Sequence, residues 1–527
     1  MIRAMVHGLL LLVRGCIVCL ALCGLSSPTL ASDPVRIETG LVQGVPASDP
    51  SVTVYRGIPF AAAPIGELRW RPPQSAAAWD GVRKAEQFSA ACIQDPVRSL
   101  GPWTQEYMHQ GEYSEDCLYL NVWSARGAAG QKRPVLVWIY GGAFTGGSTA
   151  VALYDGEALA RKGLVVVTMN YRVGVLGFLA HPELTAESEF HASGNYGLLD
   201  QVAALRWVQK NIAAFGGDPK RVTIGGQSAG AASVHILTAS PLAKGLFQQA
   251  IAQSGSGLGN RDRALSAAEA EGVKFVNAKG ARSIKELRAM PATAVAPRVE
   301  GVPFRSSPVM DGWLLPDQMS ATFARGKQND VSTLTGWTAD EGSFNQDYGK
   351  RTPPEFAREI RQRTGDLAVE FLKLYPATNQ QQASESQKAS ARDQSLVSMF
   401  LWAKQRARTA KTRVYTYYWD HVPPGPNKDV YQAFHSAELP YVFNSLKRAN
   451  RPWEAADRSI AETTSSYWAN FVATGDPNGK GLSKWPAFDA NDPVTMELGD
   501  RFAPRPIASP AAVRLFEAIF AKMAGRP

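Results

Sequence analysis

Cysteine is scarce in this chain. Of its 5 cysteines, Cys16, Cys19 and Cys23 fall in the first 31 residues, which leaves Cys92 and Cys117. That remaining pair does not have zinc-site spacing, so no metal site is expected. Concentrated charge is missing too. The formal net charge is +9, but the basic residues are spread without a dense run and do not alternate with aromatics. That is a solvated, mildly basic surface, and it argues against a nucleic-acid partner. There is no internal repeat and no low-complexity linker. With 45% hydrophobic and 20% charged residues, neither disorder nor a polytopic membrane protein fits.

What is present begins with a targeting segment. Arg3 gives a positive start, Leu9 to Val13 and Ile17 to Leu25 are apolar, and Ser26-Ser27-Pro28 breaks the run. Thr29-Leu30-Ala31 offers small residues for cleavage, so residues 1–31 read as a signal peptide. The alternative is an uncleaved anchor, against which Arg14 divides the segment. The mature chain, 32–527, is expected to be secreted or periplasmic, with no stable membrane span. In an exported chain Cys92 and Cys117 either form one disulfide or stay as two buried thiols.

The organisation is that of an α/β protein. Val35–Glu38, Leu41–Val45 and Val52–Arg56 read as short strands with turns between them, an antiparallel N-terminal edge. Val135–Tyr140, Leu164–Met169 and Arg221–Ile224 are continuous apolar runs, which suit strands buried on both faces. Between the last two, Val202, Leu205, Val208 and Ile212 follow helical spacing until Gly216-Gly217. Strands alternating with helices indicate a mainly parallel sheet flanked by helices. Shorter strands are expected at Ala250–Gln253, Ser332–Thr335 and Val414–Tyr418, and helices at 393–408 and 460–473. No domain break appears, so 32–527 is expected as one domain with a helical insertion around residues 261–410.

Gly226-Gln227-Ser228-Ala229-Gly230 has the form of a nucleophile elbow, with a strand before it and a helix after it. Small flanking residues permit a sharp turn that exposes the hydroxyl. Serine is a weak nucleophile and needs a base. Of 7 histidines, His7 leaves with the leader, and His109, His181 and His191 lie in unsuitable stretches. His235 sits two turns along the helix from Ser228. His421 and His435 remain, and either suits the order serine, acid, histidine. His421 precedes Pro423-Pro424, whereas His435 precedes the apolar stretch Leu439–Phe443. For the acid, Asp340-Glu341 follows a strand, and the residues alone do not choose between the two. Oxyanion donors are expected from the small-residue turn after Tyr140 and from the N–H of Ala229 at a helix start.

Several longer motifs carry a family resemblance. Phe215-Gly216-Gly217-Asp218-Pro219 followed by Gly226–Gly230 resembles the serine signature of the type-B carboxylesterases, the cholinesterase-related branch of the α/β hydrolases. Glu115–Asn121 resembles that family's second signature. Tyr55–Ala61, Asn170-Tyr171-Arg172, Gly194–Gly197 and Pro308–Gly312 match further family motifs. The resemblance implies an α/β-hydrolase fold. It implies Glu341 as the acid, from the Gly336–Gly342 pattern, and His435 as the base, from His435–Phe443. It implies Gly142, Ala143 and Ala229 as oxyanion donors, a Cys92–Cys117 disulfide, and Ser254 as a support of the acid. Two departures stand out. Gln227 replaces a frequent Glu, and Ala143 replaces a third glycine.

The expected activity is hydrolysis of small-molecule esters through an acyl-enzyme, with no cofactor. Trp103, Tyr107 and Tyr113 are candidates to line a gorge. Gln227, Phe304, Arg305 and Trp337 are candidate substrate-binding residues. Gln227 and Arg305 point away from a choline ester, towards a neutral ester or one with a carboxylate in its acyl part. The rival readings are a non-catalytic adhesion protein of the same fold, or an amidase or lipase. The sequence carries no signal for a particular oligomeric state.

Overall fold

The apolar runs of the sequence become the middle of one large sheet. The computed structural model describes residues 32–95, 101–255 and 262–524, so the leader expected at 1–31 lies outside the described residues. Among the described residues, eleven strands form this sheet. They are β1 (Val45–Pro46), β2 (Val52–Pro59), β3 (Tyr119–Ala125), β4 (Arg133–Ile139), β5 (Val165–Met169), β6 (Gly217–Gln227), β7 (Gln249–Gln253), β8 (Ser332–Thr338), β9 (Val414–Trp419), β10 (Val494–Leu498) and β11 (Ala503–Pro506). Their spatial order is β11-β10-β9-β8-β7-β6-β4-β5-β3-β2-β1. From β5 through β10 all neighbours are parallel. The strands at both edges join antiparallel. This is the α/β-hydrolase fold.

Val135 to Ile139 and Val165 to Val167 are fully or almost fully buried. With a strand on either side and helices over both faces, an alternating polar face would have no water to meet. One charge placed at Val166 would stand unpaired in this core and unfold it.

The chain passes from β4 to β5 on one side, then returns to place β6 on the other side of β4. In such sheets a reversal of this kind marks the carboxyl ends of the two strands, here β4 and β6, as the usual place for a ligand. Gly141–Ala143 and Ser228 follow those two ends.

Two expectations are corrected. Val35–Ile37 and Gly40–Gln43 do not extend the main sheet; with Val82–Lys84 they form a small separate one. Trp79 explains the sharp turn there: a side chain at Gly40 would come within 2.5 Å of its indole nitrogen. The helix expected at 393–408 is longer, Gln380–Ala407. Its first half buries Ala383, Ser386 and Ser390, a face too small and polar to show as hydrophobic periodicity.

The remaining family-like motifs are buried polar clamps. Asn121 accepts from the Gly57 N–H at 3.0 Å and donates to Thr168 at 3.0 Å. Arg172 pairs with fully buried Asp200 at 2.7 Å. Asn195 spans to Val309 with two bonds of 2.8 and 3.0 Å. Each satisfies backbone or charge that would otherwise be costly inside the protein.

Candidate active site

Ser228 sits between β6 and α1 (Ala229–Ala239), with φ 60° and ψ −122°. A non-glycine residue in that region is strained by roughly 1–3 kcal/mol, and such strain gathers at functional sites. The flanking glycines are needed for closeness. A Cβ at Gly226 would lie 2.5 Å from the Gly230 carbonyl carbon, and one at Gly230 would lie 2.1 Å from the Ile139 oxygen. The Ser228 N–H donates to the Gln253 carbonyl at 2.9 Å, tying the turn to β7.

The loop after β4 passes against this turn. A Cβ at Gly141 would lie 3.0 Å from the Ser228 Cβ. Gly142 and Ala143 follow, both exposed, with φ 119° and 54°. Gln94 braces this loop. It accepts from the Gly147 N–H at 2.7 Å and donates to the Gly147 carbonyl at 2.9 Å. Gln94 also donates to the carbonyl of Cys92, which is joined to Cys117 by a disulfide.

His435 Nδ1 is joined to Glu341 Oε2 by a short hydrogen bond. The other Glu341 oxygen accepts from Ser254 Oγ at 2.6 Å and from the Thr338 N–H at 2.8 Å. Burial works against ionisation of Glu341, but His435, Ser254 and Thr338 hold its carboxyl below the ordinary range. Burial likewise opposes a charge on His435, yet Glu341, with Glu438 behind it, holds the imidazole above its ordinary value. The Gln227 amide nitrogen lies 3.1 Å from His435 Nε2 and 3.5 Å from Nδ1. The imidazole thus lies between Glu341 and the neighbour of Ser228.

Asp340, the adjacent carboxylate, is engaged elsewhere. It accepts from Arg392 at 2.8 Å and from the Tyr348 hydroxyl at 3.1 Å. His421 is held by Asp500 at 2.6 Å and Asp457 at 2.9 Å. His235 is buried against Trp402 and Phe323, and burial pushes it down to about 4.

The candidate substrate residues are scattered. Phe304 packs on Phe275, ring centres 5.1 Å apart, in a cleft shared with Thr145, which follows Ala143 in the loop after β4, and with Gly174. Arg305 is 74% exposed and pairs with Glu271 at 3.3 Å. Trp337 is half-buried within β8. Of the three loop aromatics, Trp103 reaches the imidazole, its indole N–H donating to the His435 carbonyl at 3.1 Å. Tyr107 packs on Phe434, and Tyr113 on His109.

Sequence reasoning passed over Phe344 and gave Glu438 no role beyond its place in the His435–Phe443 motif. The Phe344 ring lies 5.2 Å from Trp103 and 6.3 Å from His435. Its signal was there, an aromatic three residues beyond Glu341. Glu438 is fully buried and accepts from Gln253 at 2.9 Å, and burial pushes its carboxyl up to about 7. Among the described residues no group of His, Cys, Asp and Glu could hold a metal ion.

A family model described as the carboxylesterase family matches residues 31–507. The chain is 37% identical over 477 residues to fumonisin B1 esterase of Sphingopyxis macrogoltabida, covering 88% of this chain and 86% of that protein. It is 33% identical over 487 residues to para-nitrobenzyl esterase of Bacillus subtilis (strain 168), covering 88% and 94%. It is 35% identical over 498 residues to cocaine esterase of Homo sapiens, covering 88% and 87%. A solved structure of a PNB esterase superposes with a TM-score of 0.78 at 31% identity, covering 92% of this chain and 99% of that one.

Proposed function

The chain belongs to the carboxylesterase family and acts on ester bonds, and from that premise we propose that Ser228, His435 and Glu341 cleave those bonds by two-step acyl transfer. The observation that carries this reading is the imidazole of His435, set between Glu341 and the residue next to Ser228. With its Nδ1–H given to Glu341, the ring keeps a lone pair on Nε2. That lone pair takes the Ser228 proton as Oγ attacks the ester carbonyl. The N–H groups of Gly142, Ala143 and Ala229 receive the developing oxyanion. His435 returns the proton to the departing alcohol. Water then repeats the sequence and frees the acid, leaving Ser228 as it began. Ser254 and the Thr338 N–H keep Glu341 oriented and ionised.

The protein is exported, by the same proposal, after cleavage behind Ala31. The leader-like segment and the Cys92–Cys117 disulfide support this. Among the described residues no helix is long and apolar enough to cross a membrane. N-terminal sequencing of the exported protein should begin at Ser32.

A fluorophosphonate probe tests the nucleophile. It should label Ser228 and fail on Ser228→Ala, whose turnover should drop by roughly 10³ or more with the fold intact. Ser228→Ala keeping most of its esterase activity would refute the mechanism. For the substrate, a neutral ester or one with an acyl carboxylate is favoured over a choline ester, because Gln227 brings no negative charge to the imidazole. A panel of choline, aryl and dicarboxylate esters, with fumonisin B1 and a para-nitrobenzyl ester included, checks this. Preference for the choline ester would overturn it.

A further inference from the structure

Arg451 belongs to no motif of the sequence, yet its side chain is only 6% exposed and that of its partner Glu106 12%. Burying a charged pair carries a heavy desolvation cost, which is met only when every donor is used. Here every branch of the guanidinium is. Nε donates to Glu106 at 2.7 Å, Nη2 to the Thr104 hydroxyl at 2.9 Å, and Nη1 to the Pro424 carbonyl at 3.2 Å. The same group lies 5.7 Å over the Tyr107 ring and 5.9 Å over the Phe434 ring. Thr104, Glu106 and Tyr107 follow Trp103 in the chain, and Phe434 precedes His435. One side chain therefore joins the Trp103 segment to the His435 segment. The two meet again where the Trp103 indole donates to the His435 carbonyl.

The consequence depends on which part of an ester stands there. In acyl transfer His435 gives its proton to the leaving alcohol, so the alcohol lies on the side of the imidazole. Beside the imidazole stand Trp103 and Phe344, ring centres 6.2 and 6.3 Å away, with Phe344 40% exposed. We propose that Arg451 is a positioning residue for alcohol specificity: it holds Trp103 against the His435 segment, and with it the aromatic wall on which a bulky leaving alcohol packs. The proposal rests on the acyl-transfer reading given above.

The test uses the mature enzyme and two esters of one acid, an arylmethyl ester and an ethyl ester. The double variant Glu106→Gln with Arg451→Met removes both charges at once, so no buried charge is left unpaired. Its kcat/KM for the arylmethyl ester should fall about tenfold, chiefly through KM, as the loss of one aromatic contact implies, while the ethyl ester changes less than about twofold. Fluorophosphonate labelling of Ser228 should persist. Arg451→Lys keeps the charge but cannot reach all three acceptors, and should lie between the double variant and wild type. It also serves if the double variant fails to fold. Equal losses on both esters, or an unchanged ratio between them, would overturn the inference. If wild-type Ser228 resists the probe, the acyl-transfer reading fails instead.

Discussion

The amide of Gln227 lies beside the imidazole of His435, 3.1 Å from Nε2 and 3.5 Å from Nδ1. Distances so nearly equal, to nitrogens separated by a ring carbon, place the amide against the ring. An amide lying along the Nε2 lone pair would stand much further from Nδ1. The lone pair therefore stays open to Ser228, and the group lying against this face of the ring is neutral.

Exchanging Gln227 for Glu would put a carboxylate within the same reach of both nitrogens. It would favour the imidazolium and raise the pH at which His435 becomes a base. The acid limb of kcat/KM on a neutral ester should move up by about one to two pH units. A profile for Gln227→Glu that overlays the wild type would show that this contact has no influence.

Glu438 acts on the same imidazole from within the core. Its carboxyl is raised from 4.5 to about 7, mainly by burial. A carboxyl raised in the folded state favours folding at low pH, and that contribution is lost as the pH rises through about 7. Glu438→Gln, which cannot ionise, should melt higher than wild type at pH 8.5 and alike at pH 4. It also removes a negative charge that supports the imidazolium, so the acid limb of kcat/KM should move down. Thermal unfolding at the two pH values, with a pH–rate profile, checks both signs.

His421 provides the contrast. It bridges Asp457 and Asp500, and Asp457 also accepts from the Tyr441 hydroxyl at 2.6 Å. His421→Asn should cost about 1–3 kcal/mol of stability by leaving those acceptors short of donors. Its kcat/KM should stay within a few-fold of wild type, whereas His435→Asn should abolish turnover. Loss of activity in folded His421→Asn would move the base assignment away from His435.

The disulfide reaches the site through Gln94. Replacing Cys92 and Cys117 by Ser opens a loop with a sequence separation of 25, worth roughly 3 kcal/mol by chain entropy. Because Gln94 braces the loop proposed to hold the oxyanion and bonds the Cys92 carbonyl, kcat should fall more than KM changes. Denaturant melts and ester kinetics separate the two effects.

Much of this was legible in one dimension because it is local. The turn at Ser228 needs small residues within two positions on either side, and the sheet centre needs unbroken apolar runs. Both are written in adjacent residues. The first half of the long helix leaves no such trace, because Ala383, Ser386 and Ser390 bury a face without apolar bulk. The candidate substrate residues were read from position alone, which says nothing of where Glu271 stands, and Glu271 is what engages Arg305.

By itself, then, the sequence determined the elbow, the parallel core and, through its motifs, the family. Those motifs implied Glu341 as the acid, and only the folded chain shows what draws its neighbour Asp340 elsewhere. Asp340 goes to Arg392 and Glu341 to His435. Only the folded chain set the Gln227 amide beside a ring 208 residues away, and Arg451 on a glutamate 345 residues away. Such contacts leave no local signature, because neither partner's neighbours in sequence are under the constraint that the pair itself obeys.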